Sequence, residues 1–303
     1  MTSTDQPRLT TADFDPQVLI LLDAYVHGDI DRRGFLRRAG QILGGAAALA
    51  ALDALNPRFA WAQQVAKDDP RLTLEYRTFE SPKGYGQGRG YLARPAKQDG
   101  RLPLVIVVHE NRGLNPHIED VARRLALENY VAFAPDALTP LGGYPGSEDE
   151  ARAKFATLDQ SKCREDFLAA AAFARSLDGL NGRTGTVGFC YGGAIVNFLA
   201  TELDGLHAAA PFYGGAPPVD KVAGIRADTL IVLAENDERV NAAWPAYQAA
   251  LDAAKVRYEL LQPPGTTHGF HNDTTPRYAE AAAQHAWTKL LALFERTLRV
   301  TAS

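Results

Sequence analysis

The sequence predicts an α/β fold in which a mainly parallel, twisted sheet carries helices on both faces. Two observations predict this class: short apolar runs of strand length alternate with segments of helical spacing, and the central runs lack polar positions. Residues 104–108 are apolar throughout, which is typical of a strand buried on both faces. Residues 72–79 instead alternate, and residues 90–93 resemble a hairpin partner, so antiparallel strands are expected at one edge.

The remaining elements follow in alternation along the chain. Further strands are predicted at residues 130–134, 184–189, 208–213, 229–233 and 257–261. Helices are predicted at residues 118–127, 148–158, 163–177, 194–203, 242–254 and 279–298. Because each strand is followed by a helix that returns the chain, the strands are expected to run parallel to one another.

Composition narrows the class of protein. Of 303 residues, 46% are hydrophobic and 22% charged, which suits a packed core, and we expect one domain over residues 63–303. The net charge of −4, without a basic cluster in that domain, argues against nucleic acid as a partner. The two cysteines, Cys163 and Cys190, make neither a disulfide framework nor a metal-binding spacing, and Cys163 is interpreted as structural.

Residues 1–62 have the pattern of an export signal. Residues 31–37 read DRRGFLR, which resembles a twin-arginine motif, and a mildly apolar stretch follows at residues 40–55. Ala60 and Ala62 offer the small residues that a signal peptidase recognises, so we expect a mature start near Gln63 and an exported, periplasmic protein. Stable membrane insertion is not expected, because the stretch is short and interrupted by Asp53. The alternative is a helical extension retained on a cytoplasmic protein.

The sequence GFCYGG at residues 188–193 contains a candidate nucleophile. It fits the pattern glycine-x-nucleophile-x-glycine between a predicted strand and a predicted helix, with Cys190 in the nucleophile position. Gly188 and Gly192 remove side chains that would collide in so sharp a turn. The following helix presents N–H groups and its positive end to the sulfur, which stabilises a thiolate. The alternative is a glycine-rich turn with a buried cysteine.

A candidate acid and base follow in the chain order of α/β-hydrolases. Asp237 comes just after the predicted strand at residues 229–233, and His268 lies in a loop after the strand at residues 257–261. His271, three residues further on, is the competing histidine. The loop after residues 104–108 contains Asn111, whose backbone N–H is expected to form the oxyanion hole with that of Tyr191.

Together these motifs resemble the dienelactone hydrolase (carboxymethylenebutenolidase) family from about residue 72 to the C-terminus. The resemblance is carried by HE at residues 109–110, GFCYGG, Asp237 and HGF at residues 268–270. It implies a cysteine–histidine–aspartate triad, an acyl-enzyme on Cys190, and a contact by which Glu110 helps to deprotonate the thiol. It also implies a small ester or lactone substrate and no metal or organic cofactor, and we expect a monomer.

The residues expected to bind substrate depart from the family pattern. Two arginines that hold the carboxylate of dienelactone are replaced here by Asn272 and, on ungapped placement, by Glu148, and Arg152 is the nearest substitute. Tyr144, Tyr213 and Phe270 are candidates to line an apolar pocket, unless they belong to the core. A thioesterase or peptidase on the same scaffold, and a non-catalytic relative that binds a ligand or partner, are the alternative functions.

Overall fold

A computed structural model describes residues 8–299 of the chain. Residues 1–7, the start of the predicted export segment, and residues 300–303, the end of the predicted domain, lie outside the described residues. The strands are β1 (Leu72–Ser81), β2 (Gly86–Pro95), β3 (Leu102–Val108), β4 (Val131–Pro135), β5 (Leu180–Phe189), β6 (Ala208–Phe212), β7 (Asp228–Val232) and β8 (Tyr258–Leu261).

The helices of the domain alternate with these strands, as the sequence predicts. After four helices in the N-terminal segment, they are α5 (Pro116–Leu127), α6 (Glu148–Phe155), α7 (Gln160–Arg175), α8 (Tyr191–Glu202), α9 (Glu238–Asn241), α10 (Trp244–Ala254) and α11 (Glu280–Leu298). The single helix predicted at residues 242–254 is therefore preceded by a separate short helix, α9, which begins directly after Asp237.

The strands form one eight-stranded sheet in the order β1-β2-β4-β3-β5-β6-β7-β8. The strands β3 to β8 run parallel, and β1 and β2 add to the edge in antiparallel pairing. Every residue of β3 is buried, because helices cover both faces of the sheet, in accord with its uninterrupted apolar sequence. This is the α/β-hydrolase architecture predicted from the sequence, with the carboxyl ends of the parallel strands at one edge.

The N-terminal segment forms a helical extension, defined here as residues 16–62. Its helices are α1 (Pro16–His27), α2 (Arg32–Leu43), α3 (Gly45–Leu55) and α4 (Phe59–Ala62). An apolar cluster of its own, which includes Val18, Leu22 and Phe35, holds the first three helices together. Among the described residues, no helix combines the length and the apolar character needed to cross a membrane.

Candidate active site

Cys190 lies at the sharp turn between β5 and α8. Its backbone has φ 56° and ψ −113°, a conformation that non-glycine residues rarely adopt and that often marks functional sites. The turn is tight enough that a Cβ on Gly188 would lie 2.3 Å from the carbonyl oxygen of Gly192. The two glycines in the motif therefore permit the close approach that positions the Cys190 side chain at the edge of the sheet.

Asp237 and His268 pair beside this turn. The Nδ1 atom of His268 lies 2.5 Å from Oδ2 of Asp237, and both side chains are buried. Asp237 is also the N-terminal cap of α9, where its Oδ1 accepts a hydrogen bond from the N–H of Val240. The same carboxylate therefore caps a helix and contacts the histidine. With Nδ1 engaged by Asp237, Nε2 of His268 faces Cys190.

His271, the competing histidine, belongs to the core. Its ring is stacked against Phe189 with centroids 5.2 Å apart, and burial lowers its pKa to about 3. Of the two histidines, His268 is the one that contacts Asp237.

The electrostatic surroundings favour a thiolate at Cys190. The side chain is 8% exposed, and burial alone would raise its pKa. The charge of His268 and its hydrogen bond to the sulfur, together with the hydrogen bond and charge of His27, outweigh burial and lower the pKa of Cys190 to about 6. In turn, the sulfur and Asp237 raise the pKa of His268 above its ordinary value, although burial opposes this. The arrangement suits a thiolate–imidazolium pair.

The extension covers this pair. Nε2 of His27, the last residue of α1, lies 3.6 Å from Sγ of Cys190 and 3.2 Å from Nε2 of His268. Asn111, in the predicted oxyanion loop, donates a side-chain hydrogen bond of 2.7 Å to the carbonyl of Val26. The docked end of α1 therefore occupies the space directly above the candidate nucleophile.

Glu110 is buried beside this site but has different partners from those that the resemblance implies. Its Oε2 accepts a hydrogen bond of 3.0 Å from Asn272 and lies 3.8 Å from Nη1 of Arg112. Burial alone would raise the pKa of Glu110, but the charges of Arg112 and other cationic neighbours outweigh burial and lower it. The side chains that contact Sγ of Cys190 are those of His268 and His27 rather than that of Glu110. The side chain of Asn272, which replaces a family arginine, therefore holds the carboxylate of Glu110.

The other residues predicted to bind substrate are dispersed. Arg152 lies over the ring of Tyr25 in the extension, 3.5 Å from its centroid, and pairs with Asp149 at 3.2 Å. Tyr144 donates a hydrogen bond to Glu148. Tyr213 is buried, with its ring 5.1 Å from that of His268, and Phe270 packs behind it without exposure. Tyr191 begins α8, three residues before the predicted start of that helix, and its ring stacks on His109.

Two arginines near the site were not predicted from the sequence. Arg112 pairs with Glu148 at 2.8 Å, and Arg277 is 8% exposed with no hydrogen-bond partner for Nε or Nη1 among the described residues. Both line a small cavity between the domain and the extension, together with Arg152 and Tyr25. Arg277 lies nine positions after His268, outside the family motif, so only the folded loop shows its proximity.

His27 was also missed, because it falls in the segment interpreted as an export signal. A local signal existed: Asp23 precedes it by four residues, so both side chains share one face of α1. Nothing in the sequence, however, indicates that this face would dock on a residue more than 160 positions away.

Comparison with known proteins shows which family the chain resembles in sequence. The sequence signature of the "Dienelactone hydrolase family" matches residues 89–298, and a signature described as "YqhI-like" matches residues 6–45. A "Putative carboxymethylenebutenolidase" of Synechocystis sp. is 34% identical over 238 residues, which covers 69% of this chain and 92% of that protein. A "Putative hydrolase fragment YghX" of Escherichia coli is 57% identical over 105 residues, covering 35% of this chain and 90% of the fragment.

The fold is shared with solved structures. The crystal structure of a "Putative Dienelactone Hydrolase" from Klebsiella pneumoniae superposes with a TM-score of 0.66 and 28% identity, covering 74% of this chain and 99% of that chain. The uncovered part is comparable in size to the N-terminal segment. The sequence signature spans most of the domain and includes Cys190, Asp237 and His268. The chain therefore belongs to the dienelactone hydrolase family and is a hydrolase of the α/β-hydrolase fold.

Proposed function

We propose that the protein hydrolyses a small carboxylic ester or lactone through Cys190, His268 and Asp237. The observation that carries the proposal is the pairing of His268 with Asp237 at 2.5 Å beside a cysteine at a strained strand-to-helix turn. This combination supplies a nucleophile, a base and a group that orients the base.

The reaction begins with attack of the Cys190 sulfur on the carbonyl carbon of the substrate. The N–H groups of Tyr191 and Asn111 stabilise the resulting oxyanion. The carbon–oxygen bond then breaks, the imidazolium of His268 gives its proton to the departing alkoxide, and an acyl-thioester remains on Cys190. Water attacks the thioester while His268 takes its proton, and the acid product leaves with the thiolate restored. Asp237 holds His268 in the required tautomer throughout.

An anionic group on the substrate would suit the cavity next to the site. Arg277 is buried and keeps two N–H donor groups without hydrogen-bond partners among the described residues. Its ion-pair partner, at 4.0 Å, is Asp23 of the extension. When Asp23 moves away, a substrate carboxylate can take its place, and Arg277 then serves in the role of the family arginine that Asn272 replaces.

Turnover of short p-nitrophenyl esters and of dienelactone tests the proposal. Wild type, Cys190→Ala and Cys190→Ser are compared, with Cys163→Ala as the control for loss of a buried thiol elsewhere. We expect Cys190→Ala to abolish hydrolysis of both substrates. If the wild type cleaves the esters but not dienelactone, the proposed mechanism stands and the natural substrate is an ester or lactone other than dienelactone. If Cys190→Ala hydrolyses the substrates at wild-type rates, Cys190 is not the nucleophile.

We also propose that residues 1–62 direct export through the twin-arginine pathway and are cleaved near Gln63. The basis is the motif at residues 31–37 with the apolar stretch after it. Because His27 lies on Cys190, cleavage would also uncover the site. A retained extension is the second candidate, favoured by the YqhI-like signature at residues 6–45 and by the docking itself. N-terminal sequencing of the protein from the periplasmic and cytoplasmic fractions decides between them. A chain that begins near Gln63 in the periplasm is expected, and a chain that keeps residues 1–62 and is found in the cytoplasm alone would contradict export.

A further inference from the structure

Three side chains from distant parts of the chain bring metal-binding atoms together at the base of the extension. Nε2 of His27, Sγ of Cys190 and Nε2 of His268 all lie within 4.8 Å of one another. The hydrolysis proposed above uses two of these atoms and has no role for the third. A histidine delivered from a separate helical unit to a thiol and an imidazole therefore needs its own explanation.

We propose that His27, Cys190 and His268 form a binding site for Zn²⁺, which is completed when the extension docks. Thiolate and imidazole ligands select zinc over the hard cations magnesium and calcium. Three protein ligands leave a fourth position for water, as in open zinc sites. The proposal concerns the chain that retains residues 1–62, because cleavage near Gln63 would remove His27. It does not depend on ester hydrolysis, because metal binding is measured directly.

The two distances from His27 to the other ligands are those that a tetrahedral zinc ion requires. Zinc–sulfur bonds of about 2.3 Å and zinc–nitrogen bonds of about 2.0–2.1 Å place sulfur and nitrogen about 3.6 Å apart, and two nitrogens about 3.3 Å apart. Here Sγ of Cys190 lies 3.6 Å from Nε2 of His27, and the two Nε2 atoms lie 3.2 Å apart. Binding therefore needs little movement of His27 relative to the other two ligands.

Both histidines are already oriented as zinc ligands are. In metal sites the second ring nitrogen commonly donates to a carboxylate or a carbonyl, which leaves the other nitrogen free to bind the ion. Nδ1 of His268 lies 2.5 Å from Asp237, and Nδ1 of His27 lies 2.8 Å from the carbonyl and 3.3 Å from the carboxylate of Asp23. In both rings Nε2 is thus the atom directed at the sulfur.

Arg239 contacts the nitrogen of His27 that would bind the ion. Its Nη2 lies 2.7 Å from Nε2 of His27. Because a guanidinium group only donates hydrogen bonds, this contact is a hydrogen bond only in the form of His27 that has its lone pair on Nε2, and that is also the form that binds zinc. Arg239 is exposed, so its side chain is free to leave into solvent when a cation binds. Binding then exchanges one positive group for another, beside the carboxylates of Asp23 and Asp237.

Zinc in this position would inhibit the enzyme and hold the extension in place. The ion takes the Cys190 sulfur as a thiolate, releases its proton, and occupies Nε2 of His268, so neither nucleophile nor base is available. Because His27 is a ligand only in the docked state, zinc binding and docking stabilise each other by thermodynamic linkage.

The test is zinc affinity, measured on the full chain by competition with a chromophoric chelator. His27→Gln keeps a polar side chain of similar reach but removes the ligand, and Asp23→Asn keeps the ligand but weakens its orientation. Loss of a partner behind a ligand typically weakens metal binding by about 10- to 100-fold, so we expect that loss in Asp23→Asn and at least as much in His27→Gln. His285→Gln, which changes an exposed histidine on α11, is the matched control and should bind as the wild type does.

Cobalt substitution identifies the ligands independently of affinity. Co²⁺ bound to the wild type should give a thiolate-to-metal charge-transfer band and intense tetrahedral d–d bands. The charge-transfer band should vanish in Cys190→Ser, and the d–d bands should weaken in His27→Gln. Circular dichroism of each variant checks that the fold is kept. Equal zinc affinity in wild type and His27→Gln, or a cobalt spectrum of the wild type without the thiolate band, would overturn the proposal.

Discussion

Nε2 of His27 lies 3.6 Å from Sγ of Cys190, so the end of one N-terminal helix rests on the candidate nucleophile. The contact is supported on the other side of α1, where the hydroxyl of Tyr25 donates a hydrogen bond of 2.6 Å to Asp149. Arg32 at the start of α2 pairs with the same carboxylate at 2.5 Å. Access to Cys190 is therefore tied to a contact made on α6, on a residue that takes no part in the chemistry.

The first prediction is that Asp149→Ala accelerates modification of Cys190 by iodoacetamide. The substitution removes the acceptor that holds both Tyr25 and Arg32. Hydrogen bonds to charged groups contribute about 1.5–3 kcal/mol, and the partial exposure of these contacts favours the lower end of that range. The population of molecules in which α1 has moved away from Cys190 should therefore rise roughly tenfold. The rate is measured by mass spectrometry of the modified peptide.

Glu150→Ala is the matched control for this prediction. Glu150 is the next residue of α6, and its side chain pairs with Lys154 of the same helix rather than with the extension. Its replacement should leave the alkylation rate unchanged. If Asp149→Ala and Glu150→Ala react at the same rate as the wild type, the docked extension does not limit access to Cys190.

The second prediction concerns the pH dependence of that reaction in protein freed of metal by a chelator. His268 and His27 lower the pKa of Cys190 to about 6, so its thiolate should be half formed near pH 6. An ordinary cysteine is half ionised near pH ~8.5. The alkylation rate should therefore rise through pH 6 and change little between pH ~7 and 8.

Cys163 provides an internal control. Burial raises the pKa of this thiol to about 11, so it should stay unmodified over the same range. A rate at Cys190 that instead rises tenfold with each pH unit up to pH ~8 would indicate a neutral resting thiol. That result would favour the mechanism in which the thiol loses its proton only when substrate binds, as the family resemblance implies for Glu110.

The third prediction is that Gly192→Ala disrupts the nucleophile turn. A Cβ at this position would lie 2.3 Å from the carbonyl oxygen of Val108 and 2.7 Å from that of His109. Backbone atoms cannot move aside as a side chain does. We therefore expect the free energy of unfolding to fall by about 3 kcal/mol or more and Tm to fall by roughly 6 °C or more. Gly215→Ala is the control, since its Cβ would meet only Ala194, at 3.9 Å. Equal melting temperatures for the two variants would contradict the prediction.

Much of the domain was predictable because its determinants are local. The uninterrupted apolar run of β3 and the alternating pattern of β1 follow from whether a strand is buried on one face or two. The position of Cys190 was predictable for the same reason, since the glycines on either side of it have few other uses in a strand-to-helix turn. Asp237 and His268 followed from chain order and from their positions just after strands.

The contacts of the site were less predictable because they depend on long-range packing. Glu110 was expected at the thiol, but Asn272 and Arg112 hold it, and neither contact has a local sequence signature. His27 reaches the site because an apolar cluster folds α1 to α3 into a unit, whereas the composition of the segment is equally typical of an export signal. Contacts of this kind depend on how the extension docks on the domain, and that docking has no local signature in the sequence.

The last prediction tests the role of Arg277 in binding substrate. Arg277→Gln should raise the KM for an ester that carries a carboxylate by about 10- to 100-fold, because one charge-assisted pair contributes about 1.5–3 kcal/mol. The kcat should change little, and a neutral ester of the same size should be hydrolysed as by the wild type. Arg226→Gln is the control, since that guanidinium bonds to backbone carbonyls beside it, those of Ala223 and Ile225.

The comparison of the two esters separates binding from structural damage. A variant that had lost its loop structure would hydrolyse both esters poorly, since Arg277 also packs beneath Gly269, next to His268. A selective loss on the anionic ester requires that the guanidinium meets the carboxylate itself. If KM for the two esters rises equally, Arg277 supports the loop, and its ion pair with Asp23 serves to dock the extension rather than to mark a place for substrate.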